Sequence, residues 1–181
     1  PGRAGQNLSE QTLIPQSAPN ISVKKLALQN APTGAENIKF NFGGIKFNGV
    51  SVYNDAELAS VYKDKIGTEI SLATLYEIAN SIALKYRNDG YILSRVVVPP
   101  QTIENGLPTL LVVEGYVDNI TIDGGAENAS ALQTIENYAS QISSQGGPLN
   151  IADMERYLLL INDLPGVEAR TVISPSPTAT G

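Results

Sequence analysis

Three carboxylates, Glu114, Asp118 and Asp123, fall close together in the sequence. Acidic side chains gathered in this way are what a divalent cation or an acid–base pair would need. Nothing nearby completes such a site, because no basic residue lies among them and the chain contains no His and no Cys. Without those two residue types, Ser-His-Asp triads, thiol nucleophiles, haem ligation and most zinc sites are closed to it. The three acids flank a strand end and read as solvated loop charges. Two glycine-bearing turns, GGAEN at 124–128 and SSQGGPLN at 143–150, lack the Lys of a phosphate loop. No catalytic residue, metal, cofactor or small-molecule ligand is therefore expected, and the chain reads as a non-enzyme.

Charge narrows the partners further. Eighteen acidic residues against twelve basic ones give a net charge of −6 over 181 residues. That balance disfavours a nucleic-acid groove, which needs clustered Lys and Arg, and an anionic membrane surface. No apolar run approaches the roughly 20 residues of a membrane helix. The sequence opens at Pro1 without a Met or a visible signal peptide and reads as a segment of something larger. With 42% hydrophobic residues it has enough apolar material for a packed core.

What remains is a chain whose function lies on its surface, so the elements that shape that surface matter. Residues 1–37 carry Pro1, Pro15, Pro19 and Pro32 among Gln, Asn and Ser and read as an N-terminal linker. In IKFNFGGIKFNGV, Ile45 and Phe47 alternate with Lys46 as a strand. A helix follows, with Asn54 as N-cap, Glu57 closing a capping box and Gly67 ending the segment. ISLATLYEIANSIALKYRNDG is the clearest helix. Ser71 caps it, Leu72, Leu75, Ala79, Ile82 and Tyr86 form one apolar stripe, and Gly90 stops it. Two strands come next, Tyr91 to Val98 and Thr109 to about Ile122, giving β-α-α-β-β. The eight Tyr fall mostly at stripe or strand positions, where a core role is expected.

The same order then starts again. GIKFNG at 44–49 resembles NITIDG at 119–124; Ser71 pairs with Asn150 as a helix cap; GYILSRVVVPP from Gly90 resembles GVEARTVISPSP from Gly166. Offsets that agree within a few residues, in the same order, mark a duplication. The second copy reaches its strand at 167–173 and stops before a last strand.

Tyr-Arg-x-x-Gly-Tyr at 86–91, Val-Pro-Pro-Gln at 98–101 and Val-Glu-Gly at 113–115, with Gly-Ala-Glu-Asn at 34–37 as a lead-in, resemble a POTRA domain. The likeness is to the ShlB/FhaC/HecB family of haemolysin secretion and activation proteins, the TpsB partners of two-partner (type Vb) secretion. It implies an α+β fold of two β-α-α-β-β POTRA domains, each with two helices on a three-stranded mixed sheet: residues 38–117, and an incomplete 118–181. It further implies a site on the periplasmic face of the Gram-negative outer membrane, a C-terminal β-barrel pore outside this chain, and an unfolded TpsA-type exoprotein as partner.

The resemblance also implies the sheet order 1-3-2, which puts the strand at 91–98 on an edge. Leu110 to Val113, apolar on both faces, suits the middle position. An open edge offers unpaired N–H and C=O groups to an extended chain, and Pro99 and Pro100 limit how far pairing spreads. The expected site is therefore strand addition at Arg95, Val96, Val97 and Val98. Val96 and Val98 should face the helices, and Tyr76, Asn80, Lys85 and Arg87 should line the adjoining helix groove. A barrel-assembly module of the Omp85 type and a structural interaction scaffold are the alternatives on the same fold.

Overall fold

The computed structural model describes residues 21–22, 28–117, 129–144, 147–164 and 171–172. In chain order the elements are β1 (Ile21–Ser22), β2 (Lys39–Asn41), β3 (Lys46–Asn48), α1 (Asp55–Ala59), β4 (Glu69–Ser71) and α2 (Leu72–Asn88). They continue with β5 (Arg95–Val97), β6 (Thr109–Val113), α3 (Ala129–Ser144), α4 (Ile151–Asn162) and β7 (Thr171–Val172). The fold is α+β.

The main sheet runs β3-β6-β5, with β3 parallel and β5 antiparallel to the central β6. This is the 1-3-2 order expected, and β5 is an edge. The helix stripe forms the core beneath it. Leu75, Ala79, Ile82 and Tyr86 are buried together with Ile78 and meet Phe42, Leu58, Tyr62, Val96, Val98, Leu110 and Val112. Leu72, at the start of the stripe, is only partly buried. Alternate residues of β6, Leu110 and Val112, are buried and the others half-buried, as a strand flanked on both sides requires.

The structure differs from the sequence reading at several elements. The strand expected from Thr109 to about Ile122 ends at Val113. The strand expected in the second half of 38–50 forms as β3, but the first half adds a further strand, β2, which pairs with β4 as a separate antiparallel ribbon, Lys39 opposite Ser71 and Asn41 opposite Glu69. The break between β2 and β3 is imposed by the 105–106 turn, where Gly43 N–H donates to Gly106 O at 2.8 Å. A side chain on Gly106 would fall 1.9 Å from Asn41 O, and its φ of +69° disfavours other residues as well. The helix expected across 54–66 ends at Ala59 and gives way to tighter bonding, Val61 N–H to Leu58 O and Tyr62 N–H to Ala59 O. This departure places the Tyr62 ring in the core, edge-on to Phe42 at 5.6 Å. The strand expected from Tyr91 begins only at Arg95. Gly90 (φ +94°) turns the chain, and Tyr91 folds back so that its ring meets Tyr86 and Tyr53 at 6.1 and 6.3 Å.

The caps are as the sequence implies. Asn54 Oδ1 accepts from Glu57 N–H while Glu57 Oε2 accepts from Asn54 N–H, both at 2.9 Å. Asn54→Ala removes one half of this box and is expected to lower stability by about 1 kcal/mol, measurable as an earlier denaturant midpoint with an unchanged slope.

Residues 28–37, read from sequence as linker, carry packing contacts. Ala35, in the one-turn 3-10 helix Ala35–Asn37, is buried, and just past the segment Ile38 O accepts from Leu72 N–H at 2.8 Å. A small apolar residue inside a polar segment gave no periodic signal, which is why the docking was not legible.

Beyond β6, α3 and α4 pack on each other, with Tyr138 and Tyr157 rings 6.1 Å apart. Leu149, Met154 and Leu158 form a second cluster that also takes in Leu93 and Val117. Two backbone bonds fasten it, Leu149 N–H to Gly115 O at 2.8 Å and Ile151 N–H to Gly90 O at 2.9 Å. Asn150 does two jobs at this joint. Its Oδ1 caps α4 by accepting from Ala152 N–H, and its Nδ2 donates to Asp89 O, the residue that caps α2. Asn150→Asp keeps an acceptor for the cap and loses the donor. Its expected signature is faster hydrogen exchange at the Leu149 and Ile151 amides with Leu158 unchanged. Uniform acceleration along α4 would reduce Asn150 to a cap alone.

The first strand expected for the second copy (119–124), with Asp118 and Asp123, lies outside the described residues. Within the segment expected as its second strand, β7 pairs in parallel with β1, Ile21 opposite Thr171.

Candidate peptide-binding edge

The geometry of the β5 edge follows from its register. Arg95, Val96 and Val97 stand opposite Val113, Val112 and Leu111. In an antiparallel pair, residues alternate between bonding to the neighbour and pointing away from it. Val98 N–H points away, since it donates to Gln29 Oε1 at 2.8 Å. Two residues back, Val96 therefore presents its N–H and C=O on the same outer flank, while Arg95 and Val97 bond inward to β6. Side chains alternate independently. Val96 and Val98 are each 5% exposed and sit in the core, as expected, whereas Arg95 is exposed and Val97 half-buried. A chain added here would meet the backbone of Val96 and Val98 and the side chains of Arg95 and Val97.

The edge is stopped by more than the two prolines. Gln101 Oε1 accepts from Thr109 N–H at 2.6 Å and its Nε2 donates to Thr109 O at 2.8 Å. One side-chain amide thus takes the place of the next strand residue and closes the sheet beyond Val98.

The expected groove residues divide. Tyr76, Asn80 and Arg87 share one stripe of α2 at helical spacing. Tyr76 packs partly against the core, and Arg87 is half-buried. Asn80 holds Gln29: its Oδ1 accepts from Gln29 N–H at 3.1 Å and its Nδ2 donates to Gln29 O at 3.0 Å. Lys85 lies well round the helix from Asn80. Its Nζ donates to Asp89 Oδ2 at 2.8 Å and sits 4.5 Å above the Tyr53 ring. Asp89 also accepts from Tyr53 OH at 2.6 Å. The Lys85 and Tyr53 bonds hold the Asp89 carboxyl below the usual range, outweighing a small desolvation. Lys85 thus belongs to the aromatic end of α2, beside the Asn150 joint.

Gln29, which borders this edge through Val98 and Asn80, lies in a segment without period and had no signal in the sequence. Glu114 was read as a loop charge, yet its carboxylate gathers Ser51 N–H at 3.0 Å, Val52 N–H at 3.1 Å, Tyr86 OH at 2.7 Å and the Ser51 hydroxyl. Burial alone would raise its pKa, but the hydrogen bonds from Ser51, Tyr86 and Val52 hold it below the usual carboxylate value. The same burial and the Glu114 carboxylate push the Tyr86 phenol far up. Among the described residues no cluster of acidic side chains is arranged to hold a metal ion, and no helix is long and apolar enough to cross a membrane.

A two-helix, three-stranded unit with this order and an edge of this kind defines a POTRA domain. Residues 40–115 match the family described as POTRA domain, ShlB-type, and belong to it. Over 96% of its length the chain is 29% identical to the heme/hemopexin transporter protein HuxB of Haemophilus influenzae (strain 86-028NP), and it is homologous to that protein. It is also homologous to the outer membrane transporter CdiB of Escherichia coli, with 23% identity over 94% of the chain. It spans 31% of HuxB and 28% of CdiB. The solved structure of E. coli CdiB superposes with a TM-score of 0.66 at 22% identity, covering 83% of this chain and 27% of that one. The N-terminal domain of Omp85 from Thermosynechococcus elongatus gives 0.53 at 22% identity, covering 67% and 54%. These likenesses show the fold.

Proposed function

We propose that this chain is the periplasmic recognition module of an outer-membrane two-partner secretion transporter. In this reading residues 38–117 and 118–181 are tandem POTRA domains, and the partner is the unfolded secretion domain of an exoprotein. That partner adds a strand to β5 and is passed to a β-barrel that follows in the longer protein. The observation that carries the reading is the β5 edge, where Val96 and Val98 turn backbone groups outward and Val98 N–H already donates to the side chain of Gln29. Homology to proteins named as transporters supports the class. Each backbone bond to a client nets roughly 0.5–1.5 kcal/mol, and ordering the client opposes it. Binding is therefore weak, micromolar or poorer on the order of magnitude, which suits a receptor that must release its cargo.

The test is a titration of isotope-labelled chain with an N-terminal fragment of the exoprotein encoded beside it. Amide shifts concentrated in residues 95–98 and along α2 are expected. A fragment at millimolar concentration that moves no amide would leave a scaffold, and shifts produced equally by unrelated outer-membrane proteins would favour an Omp85-type assembly role.

A further inference from the structure

We infer that Asn80 and the Val98 amide together form a subsite that reads one carboxamide-bearing residue, glutamine, in an extended peptide. The inference rests on the β5 reading above and adds what the edge selects. Three bonds converge on one residue. Asn80 clamps the backbone of Gln29 from both sides, N–H and C=O, at 3.1 and 3.0 Å. Val98 N–H reads the side-chain oxygen of the same residue at 2.8 Å. The backbone clamp is indifferent to sequence, because every residue except proline offers both groups. Selection comes from Val98, whose residue is only 5% exposed and whose outward N–H needs an acceptor. Leaving a buried donor unmet is costly, so an apolar side chain is rejected more strongly than its size suggests.

Reach fixes the side chain. The acceptor must cross from the stripe of α2 to the strand edge while its own backbone stays on Asn80, and the Gln29 carboxamide spans that gap. Asn, one methylene shorter with the same amide, falls short. The clamp chemistry recurs in this unit: Gln101 holds both backbone groups of Thr109. In the structure the subsite is filled by the chain's own Gln29, so the occupant is known and the vacated site can be tested.

The experiment uses the 181-residue chain carrying Gln29→Pro, which removes both the side-chain acceptor and the backbone N–H held by Asn80, and the synthetic heptapeptide Leu-Ala-Leu-Gln-Asn-Ala-Pro, the sequence of residues 26–32. The Val98 backbone amide and the Asn80 side-chain amide are followed by NMR. Saturable shifts of both are expected, with at least tenfold weaker binding when the peptide's Gln is replaced by Leu or Asn, and loss of binding in Gln29→Pro/Asn80→Leu. Equal binding of the Gln and Leu peptides would overturn the subsite, as would binding that survives Asn80→Leu. The two readings separate cleanly. An exoprotein fragment that binds at 95–98 regardless of Asn80→Leu keeps strand addition and removes the subsite. A heptapeptide that binds where the fragment does not keeps the subsite and removes the cargo role.

Discussion

Glu114→Ala lowers the stability of the 40–115 unit by about 2–4 kcal/mol, since each buried donor left unmet costs roughly 1–3 kcal/mol. The carboxylate ties three separated parts of the chain together: the turn at Ser51 and Val52, the end of β6, and the interior of α2 through Tyr86. Water replaces it at the more exposed Ser51 N–H but has no access to Tyr86, which is fully buried. For a unit of this size the melting temperature drops on the order of 10–20 °C. A loss under about 1 kcal/mol in calorimetry would show that the loop finds other partners. The pH dependence carries a second signature. Because the folded carboxyl lies below its ordinary value of 4.5, its contribution is complete above that value and fades as pH falls through the depressed one. Glu114→Gln should therefore flatten the acid limb of the stability curve. Tyr86 has the opposite sense. Its phenol is raised above 10.0, so the stability it lends is complete below that pH and declines in stronger alkali.

Val96→Pro is the second large effect, and it falls on binding. The substitution deletes the outward N–H and puts a ring where an incoming strand would lie, while the inward ladder through Arg95 and Val97 keeps its bonds. Affinity for the exoprotein fragment should fall at least tenfold, with chemical shifts of α2 and β6 preserved away from the core contacts of residue 96. Val97→Pro is the contrasting variant, because it removes a donor aimed at Leu111 and disrupts the sheet itself. Unchanged affinity in a folded Val96→Pro protein would move recognition from the strand's backbone to the side chains of α2.

The sequence made the architecture legible wherever a period or a cap was present. The α2 stripe, the Asn54 and Ser71 caps, the Gly90 stop and the middle position of β6 all follow from local chemistry. The motifs that carried the family resemblance turn out to be structural fasteners. Tyr86 and Tyr91 build the aromatic cluster with Tyr53, Glu114 gathers its four donors, and Gln101 braces Thr109. What stayed illegible depends on pairs far apart in the chain. Gln29 reaches Val98 and Asn80, and Asn150 reaches Asp89. No window of sequence contains both partners of either contact. For the same reason Lys85 was grouped with Asn80: both are polar positions on one helix, and only the Tyr53–Asp89 contact sets Lys85 apart.

The brevity of β5 sets a tempo. With three residues in the strand and Gln101 blocking its far end, a passing polypeptide can register only a few links at a time. At a dissociation constant of about 10 μM and an association rate on the order of 10⁶ M⁻¹s⁻¹, each stop lasts about a tenth of a second. In the proposed strand-addition role, such a foothold lets a long chain be gripped, let go and gripped again further along, through many brief holds in succession.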